Sequence, residues 1–195
     1  MTRRHYALLF GAVLATTTLS GCLPLIAGGA AGGALVATDR RTSGAYVDDQ
    51  AIEVKAQSQI SDRLPSAHVN VASFNRAALM TGEVPSEEAR QVAETLVRAQ
   101  PNVRKVYNYT VVAPASSLSQ RNNDTWITTK VRTNLLNGNG FPSSQVKVVT
   151  ERGVVYVMGL LTQAEGDAAA QVVSQTAGVQ KVVTLFEPIS EIQPK

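Results

Sequence analysis

Two stretches of this chain are one pattern written twice. VNVASFNRAALMTGEV (69–84) and VKVVTERGVVYVMGLL (146–161) align without a gap. Val69 falls on Val146, Val71 on Val148, Ser73 on Thr150 and Gly82 on Gly159. Ahead of them Ile52 and Lys55 match Ile127 and Lys130, and behind them NVRKV (102–106) matches GVQKV (178–182). A fixed register inside elements and small length changes between them mark a duplicated unit, so the chain folds as two copies of one small domain.

Each copy predicts the order α-β-β-α-β. Ile52, Ala56 and Ile60 recur at helical spacing, as do Ile127, Val131 and Leu135, with Asp49 and Asp124 expected as the N-caps. Val69, Val71 and Ser73 alternate and are followed by Ala77, Leu79 and Thr81; Val146, Val148 and Thr150 are followed by Val154, Tyr156 and Met158. These read as half-buried hairpin strands. Arg152-Gly153 supplies the second turn, and Asn75-Arg76 stands in its place in the first. Ser86 with Glu87 and Glu88, and Thr162 with Glu165, open a second helix. Its apolar face is Ala89, Val92, Ala93, Leu96 and Val97 in the first copy, and Ala169, Ala170 and Val173 in the second. Val103 to Val112 and Val179 to Phe186 close the units. The expected class is α+β, two tandem domains at 48–112 and 123–187, each a small mixed sheet covered by two helices. A linker (113–122) joins them and a tail (188–195) follows. Units of about 65 residues are marginal but fold alone.

The N-terminus constrains location. Arg3 and Arg4 form a basic region, and Tyr6 to Leu19 is uncharged and apolar or small, too short for a membrane span of about 20 residues. It ends Leu19-Ser20-Gly21-Cys22, which resembles the lipobox of bacterial lipoproteins. The resemblance implies removal of a leader (1–21) and acylation of Cys22, and Leu23 rather than Asp implies delivery to the outer membrane. Cys22 is the sole cysteine, so once acylated it leaves no disulfide and no thiolate metal site. Loss of Arg3 and Arg4 lowers the formal charge from +3 to +1, so nothing calls for a nucleic-acid partner. Residues 22–47, with AGGAAGG inside them, read as an acylated, flexible tether.

No catalytic constellation is evident. His68 has no serine or acid beside it in sequence and reads as surface polar; Asp48-Asp49 reads as capping; the glycine run lacks the Lys-Ser/Thr of a phosphate loop. Clustered His, Cys or acids for a metal are not visible. The expectation is a non-enzyme with no cofactor and no metal, apart from covalent lipid on Cys22.

The pattern V-x-V…G-V-V-Y-V-M-G…A-E-G…A-G-V-Q-K-V resembles the BON domain. Two copies behind a lipobox, preceded by TDRRTSG, resemble the dual-BON-domain outer-membrane lipoproteins. That resemblance implies a periplasm-facing lipid binder acting through its second domain and supporting envelope integrity. An asymmetry between the copies agrees with it. On the first helix of the second copy Trp126 points away from the core face, with Lys130, Thr129, Thr133 and Leu136 on its side and Arg132 at hand. The first-copy positions matching Trp126 and Leu136 are Ala51 and Ser61, both small. An indole beside cations suits an anionic headgroup region, with the helix dipping its N-terminal turn into phospholipid. Reversible binding of that kind permits concentration at special membrane regions such as a division site. Packing of Trp126 against the other copy or the linker is the alternative. So is a protein-interaction module that docks the outer-membrane assembly machinery or a client. The sequence leaves the oligomeric state open.

Overall fold

The computed structural model describes residues 39–190. The leader, Cys22 and the tether up to residue 38 lie outside the described residues, as do residues 191–195. In the first copy α1 spans Ser43–Arg63, β1 His68–Phe74, β2 Ala77–Val84, α2 Glu87–Arg98, β3 Lys105–Asn108 and β4 Val111–Val112. In the second, α3 spans Leu118–Asn137, a 3-10 turn Ser143–Gln145, β5 Val146–Glu151, β6 Val154–Leu161, α4 Gln163–Ser174 and β7 Lys181–Pro188. Each hairpin is antiparallel and each closing strand runs parallel to the hairpin's second strand, giving two small mixed sheets. The expected α+β fold is observed, with the first copy's closing strand interrupted at Tyr109-Thr110.

Both first helices begin earlier than expected. Thr42 caps α1 through the Ala45 N–H, and Ser117 forms a capping box with Gln120 ahead of α3. The segment read as tether therefore becomes helix at Ser43, and the linker shortens to the residues before Leu118. Asp49 and Asp124 are not caps. They sit inside the helices, 0% and 6% exposed, and grip the hairpin turns. Asp49 accepts from the Asn75 and Arg76 N–H groups at 2.8 and 2.7 Å and from the Ser73 hydroxyl at 2.7 Å. Asp124 accepts from the Arg152 and Gly153 N–H groups at 2.8 Å each. All four turn residues have positive φ (51°, 65°, 53° and 73°), which turns their N–H groups together toward the carboxylate. Asp48 does not cap either; it holds the Arg76 and Asn102 side chains.

The outer hairpin strands β1 and β5 are half-buried as expected, but the central strands β2 and β6 are not. Every residue of β2 is buried, and all of β6 after Val154. Ala78, Met80 and Val84 face α1 and α2, while Val155, Val157 and Leu161 face α3 and α4. Opposite them, Phe74, Ala77 and Leu79 pack directly on Tyr156, Met158, Leu160 and Leu185. The two sheets thus stack face to face with helices outside, in the order helix, sheet, sheet, helix. Ala77, Leu79, Tyr156 and Met158, read as core positions of separate units, form this shared core instead. Val92, read as part of the α2 core face, is 44% exposed.

Polar ties frame the shared core. Glu187 accepts from Asn75 and Arg104, Lys147 reaches Glu53 and the Ser73 carbonyl, and Asn70 donates to Glu151. The chain entering α1 adds a strap. Arg40 makes a two-pronged bond to Glu165 at 2.7 and 2.8 Å and donates to the Leu160 carbonyl, while its N–H meets Gln145. Arg41 turns to the first copy, pairs with Asp49 and lies 4.2 Å from the Phe74 ring centre. The described residues fall within one compact unit.

Candidate functional site

Helix α3 carries three large apolar side chains into solvent: Leu118 is 75%, Trp126 62% and Leu136 73% exposed. Trp126 belongs to none of the three apolar cores. Leu118 and Leu136 are eighteen residues apart, five full turns, so they share one line along the helix, with Trp126 about 80° around from it. The helix is about 30 Å long, with Leu118 and Leu136 near its two ends and Trp126 between them. Leu118 escaped the sequence reading because the helix was not expected to begin so early. The Ser117–Gln120 capping box was the available signal.

The rest of that face carries hydroxyls and no acid. The hydroxyls of Thr125, Thr129 and Thr133 donate to the carbonyls of Arg121, Thr125 and Thr129 at 2.9 to 3.0 Å. These hydroxyls are satisfied by the helix itself, so removing water from them strands no donor. Asp124, the sole acid of α3, is turned inward onto the β5–β6 turn. The exposed charge of α3 is therefore cationic. By contrast α1 carries Asp48, Asp49, Glu53 and Asp62, and its exposed Val47 and Val54 stand among them.

The cations divide. Arg132 is exposed and, among the described residues, has no side-chain partner. Lys130 is half-buried and turned toward α4, where its ammonium donates to the Ala177 carbonyl. The structure thus gathers Trp126, Thr129, Thr133, Leu136 and Arg132 on the outer side, and places Lys130 at its margin, in a structural bond.

A second cluster lies where the copies meet. His68 is not surface polar: its Nδ1 is 3.0 Å from Glu83, which is 1% exposed. Glu83 also accepts from the Ser116 N–H at 3.1 Å and faces the Arg152 guanidinium at 3.4 Å. Glu151, 5% exposed, accepts from Asn70. Burial disfavours the Glu83 charge, but Ser116 and His68 outweigh it and hold the carboxyl below its usual range. Burial pushes Glu151 up, and the nearby Glu83 adds to that. The folded chain thus supplies the acids and the serine that linear sequence did not place beside His68. Ligand atoms of His68, Glu83 and Glu151 lie within 4.8 Å of one another, which corrects the expectation that no such cluster exists. Donors from Ser116, Arg152 and Asn70 already engage the two carboxylates. Ser116 Oγ and Glu83 both approach the same imidazole nitrogen, at 3.5 and 3.0 Å, so the ring cannot relay a proton between them as a triad base does. The cluster binds one copy to the other.

The BON domain model matches residues 48–114 and 123–187. Outer membrane lipoprotein DolP of Haemophilus influenzae is 35% identical over 187 residues, 94% of this chain and 95% of that protein. The chain belongs to the DolP-like dual-BON-domain lipoprotein family. A 21 kDa hemolysin of Actinobacillus pleuropneumoniae is 32% identical over 76% of this chain and 78% of its own length. Osmotically-inducible protein Y of Escherichia coli is 28% identical over 71% of this chain and 72% of its own length. The glycine repeated in both BON domains has a steric cause. A Cβ on Gly82 would stand 2.0 Å from the His68 carbonyl oxygen, and one on Gly159 2.6 Å from that of Gln145. Among the described residues of this BON protein, no helix is long and apolar enough to cross a membrane.

Proposed function

We propose that this BON protein is an outer-membrane lipoprotein, acylated at Cys22 and facing the periplasm, that lays α3 of its second domain on anionic phospholipid. Through that contact it supports outer-membrane integrity, including at the division site. The observation that carries this reading is α3 itself: three exposed apolar side chains along its whole length, hydroxyls satisfied internally, and no outward acid. A helix already mounted on a folded domain, with tryptophan and leucine turned outward, suits the interfacial plane, where tryptophan prefers to sit. Trp126 lies well inside α3, beyond its first two turns, so the helix lies along the surface rather than dipping an N-terminal turn. Arg132 meets headgroups, and each basic residue near an anionic surface adds about 1 kcal/mol.

Weak contact suffices. An acyl anchor on a short flexible tether gives an effective concentration of roughly millimolar, and a millimolar affinity is only about −4 kcal/mol. Co-sedimentation of a chain beginning at residue 23 with anionic vesicles tests the reading; that chain retains all three apolar cores. Binding falls about tenfold in Trp126→Ala, a loss of about 1.4 kcal/mol. It also weakens as salt rises. Binding that is indifferent to both would favour an apolar protein partner instead.

A further inference from the structure

Between the two BON domains, beside the C-terminal half of α3, lies a cleft of about 360 Å³. Its lining is mixed: Phe74 from the first domain and Leu135, Leu136, Val146 and Val148 from the second are apolar, while Gln50, Ser143 and Ser144 are polar. Its rim is cationic, with Arg41, Arg132 and Lys147 and no acid among the lining residues. Arg41 is held by Asp39 and Asp49, and Lys147 by Glu53, so both are neutralised in place. Arg132 is not. Leu136 belongs both to this cleft and to the exposed side of α3, so the cleft opens on the same side as the surface described above.

We infer that the interdomain cleft seats a single anionic phospholipid, its phosphate on Arg132 and the upper part of one acyl chain against Phe74, Leu135 and Leu136. The inference rests on the proposed membrane contact and adds a discrete recognition site to it. Charge complementarity selects the occupant. An acid-free rim with one uncommitted guanidinium suits a phosphate, to which arginine presents paired N–H donors. The apolar part of the lining suits hydrocarbon and would be left wet by a free inorganic ion, while Gln50, Ser143 and Ser144 can meet the polar glycerol region. The volume lies near the lower end of ordinary ligand pockets, which span about 300–1,000 Å³, and admits a headgroup with part of one chain rather than a whole lipid. Because the walls come from both domains, the seat exists only while the two sheets are stacked.

The test uses dihexanoyl phosphatidic acid below its micelle concentration, with dihexanoyl phosphatidylcholine and inorganic phosphate as separate arms, on the chain beginning at residue 23. Amide chemical shifts are followed at Gln50, on the first-domain wall, and Ser144, on the second. The seat predicts saturable one-to-one binding of the phosphatidic acid that moves both amides. Affinity drops about tenfold or more in Arg132→Glu and in Gln50→Glu, both exposed positions, and persists in Trp126→Ala. Vesicle co-sedimentation is run on the same samples. Vesicle binding without saturable binding of the monomeric lipid overturns the seat and leaves the membrane reading intact. Equal shifts from phosphate alone overturn the acyl half of the assignment, as equal binding of phosphatidylcholine overturns the charge half. Saturable monomer binding in a chain that ignores vesicles keeps the seat and sinks the membrane reading.

Discussion

At the scale of single residues, the buried carboxylates of Asp49 and Asp124 matter most. Each ties a helix interior to a turn whose residues take positive φ, three of the four being non-glycine. Asp124→Ala strands the Arg152 and Gly153 N–H groups, and urea unfolding should show a loss of about 2–3 kcal/mol. Asp124→Asn keeps one acceptor oxygen and should lose less. The Arg40–Glu165 pair makes a prediction in pH. Arg40, with the Thr162 N–H, holds the Glu165 carboxyl at about 2, below its ordinary 4.5. A depressed carboxyl contributes its stabilisation in full above the unfolded value, and that contribution fades as pH falls from about 4.5 toward 2. In Arg40→Ala the acid limb of a thermal melt should flatten over that window, with stability already reduced at neutral pH. An unchanged acid limb would mean the pair is not formed in solution.

At the scale of elements, the informative comparison is α3 with α1. They descend from one pattern and each grips its hairpin turn through one buried aspartate, yet α1 carries four acids and α3 one, turned inward. Trp126 and Leu136 were legible as outward-facing from helical spacing alone, because the core positions Ile127, Val131 and Leu135 fix the opposite face. Leu118 is not legible from a helix that starts at an Asp124 cap. An acid before an apolar run looks the same whether it caps a helix or reaches across to a turn. Leu118→Ser should therefore weaken vesicle binding by a few-fold without moving the melting temperature, since Leu118 is 75% exposed and supports no core. Gly82→Ala should do the reverse. Its Cβ would collide with the His68 carbonyl, so the melting temperature falls while vesicle binding by folded protein persists.

At the scale of the molecule, the two sheets share a core that neither domain owns. The continuous apolar run VVYVMGLL announced it, because strands covered on both faces do not alternate. Alternation is what a single unit with one solvated sheet face would require. The partner surface could not be named from one copy's pattern, nor could His68, Glu83 and Glu151 be brought together, for their contacts span the two copies. The stacked arrangement turns two marginal domains into one body and gives α3 a rigid mount at the outer layer. The central claim is that α3 lies along anionic phospholipid for its full length. Nitroxide labels placed singly at Leu118→Cys, Trp126→Cys and Leu136→Cys in the chain beginning at residue 23 test it by power-saturation EPR, with Val54→Cys on α1 as the exposed comparison. On adding anionic vesicles, all three α3 labels should become shielded from an aqueous relaxant and accessible to oxygen, while the label at residue 54 stays in water. Labels on α3 that remain as wet as the one on α1 would contradict the account.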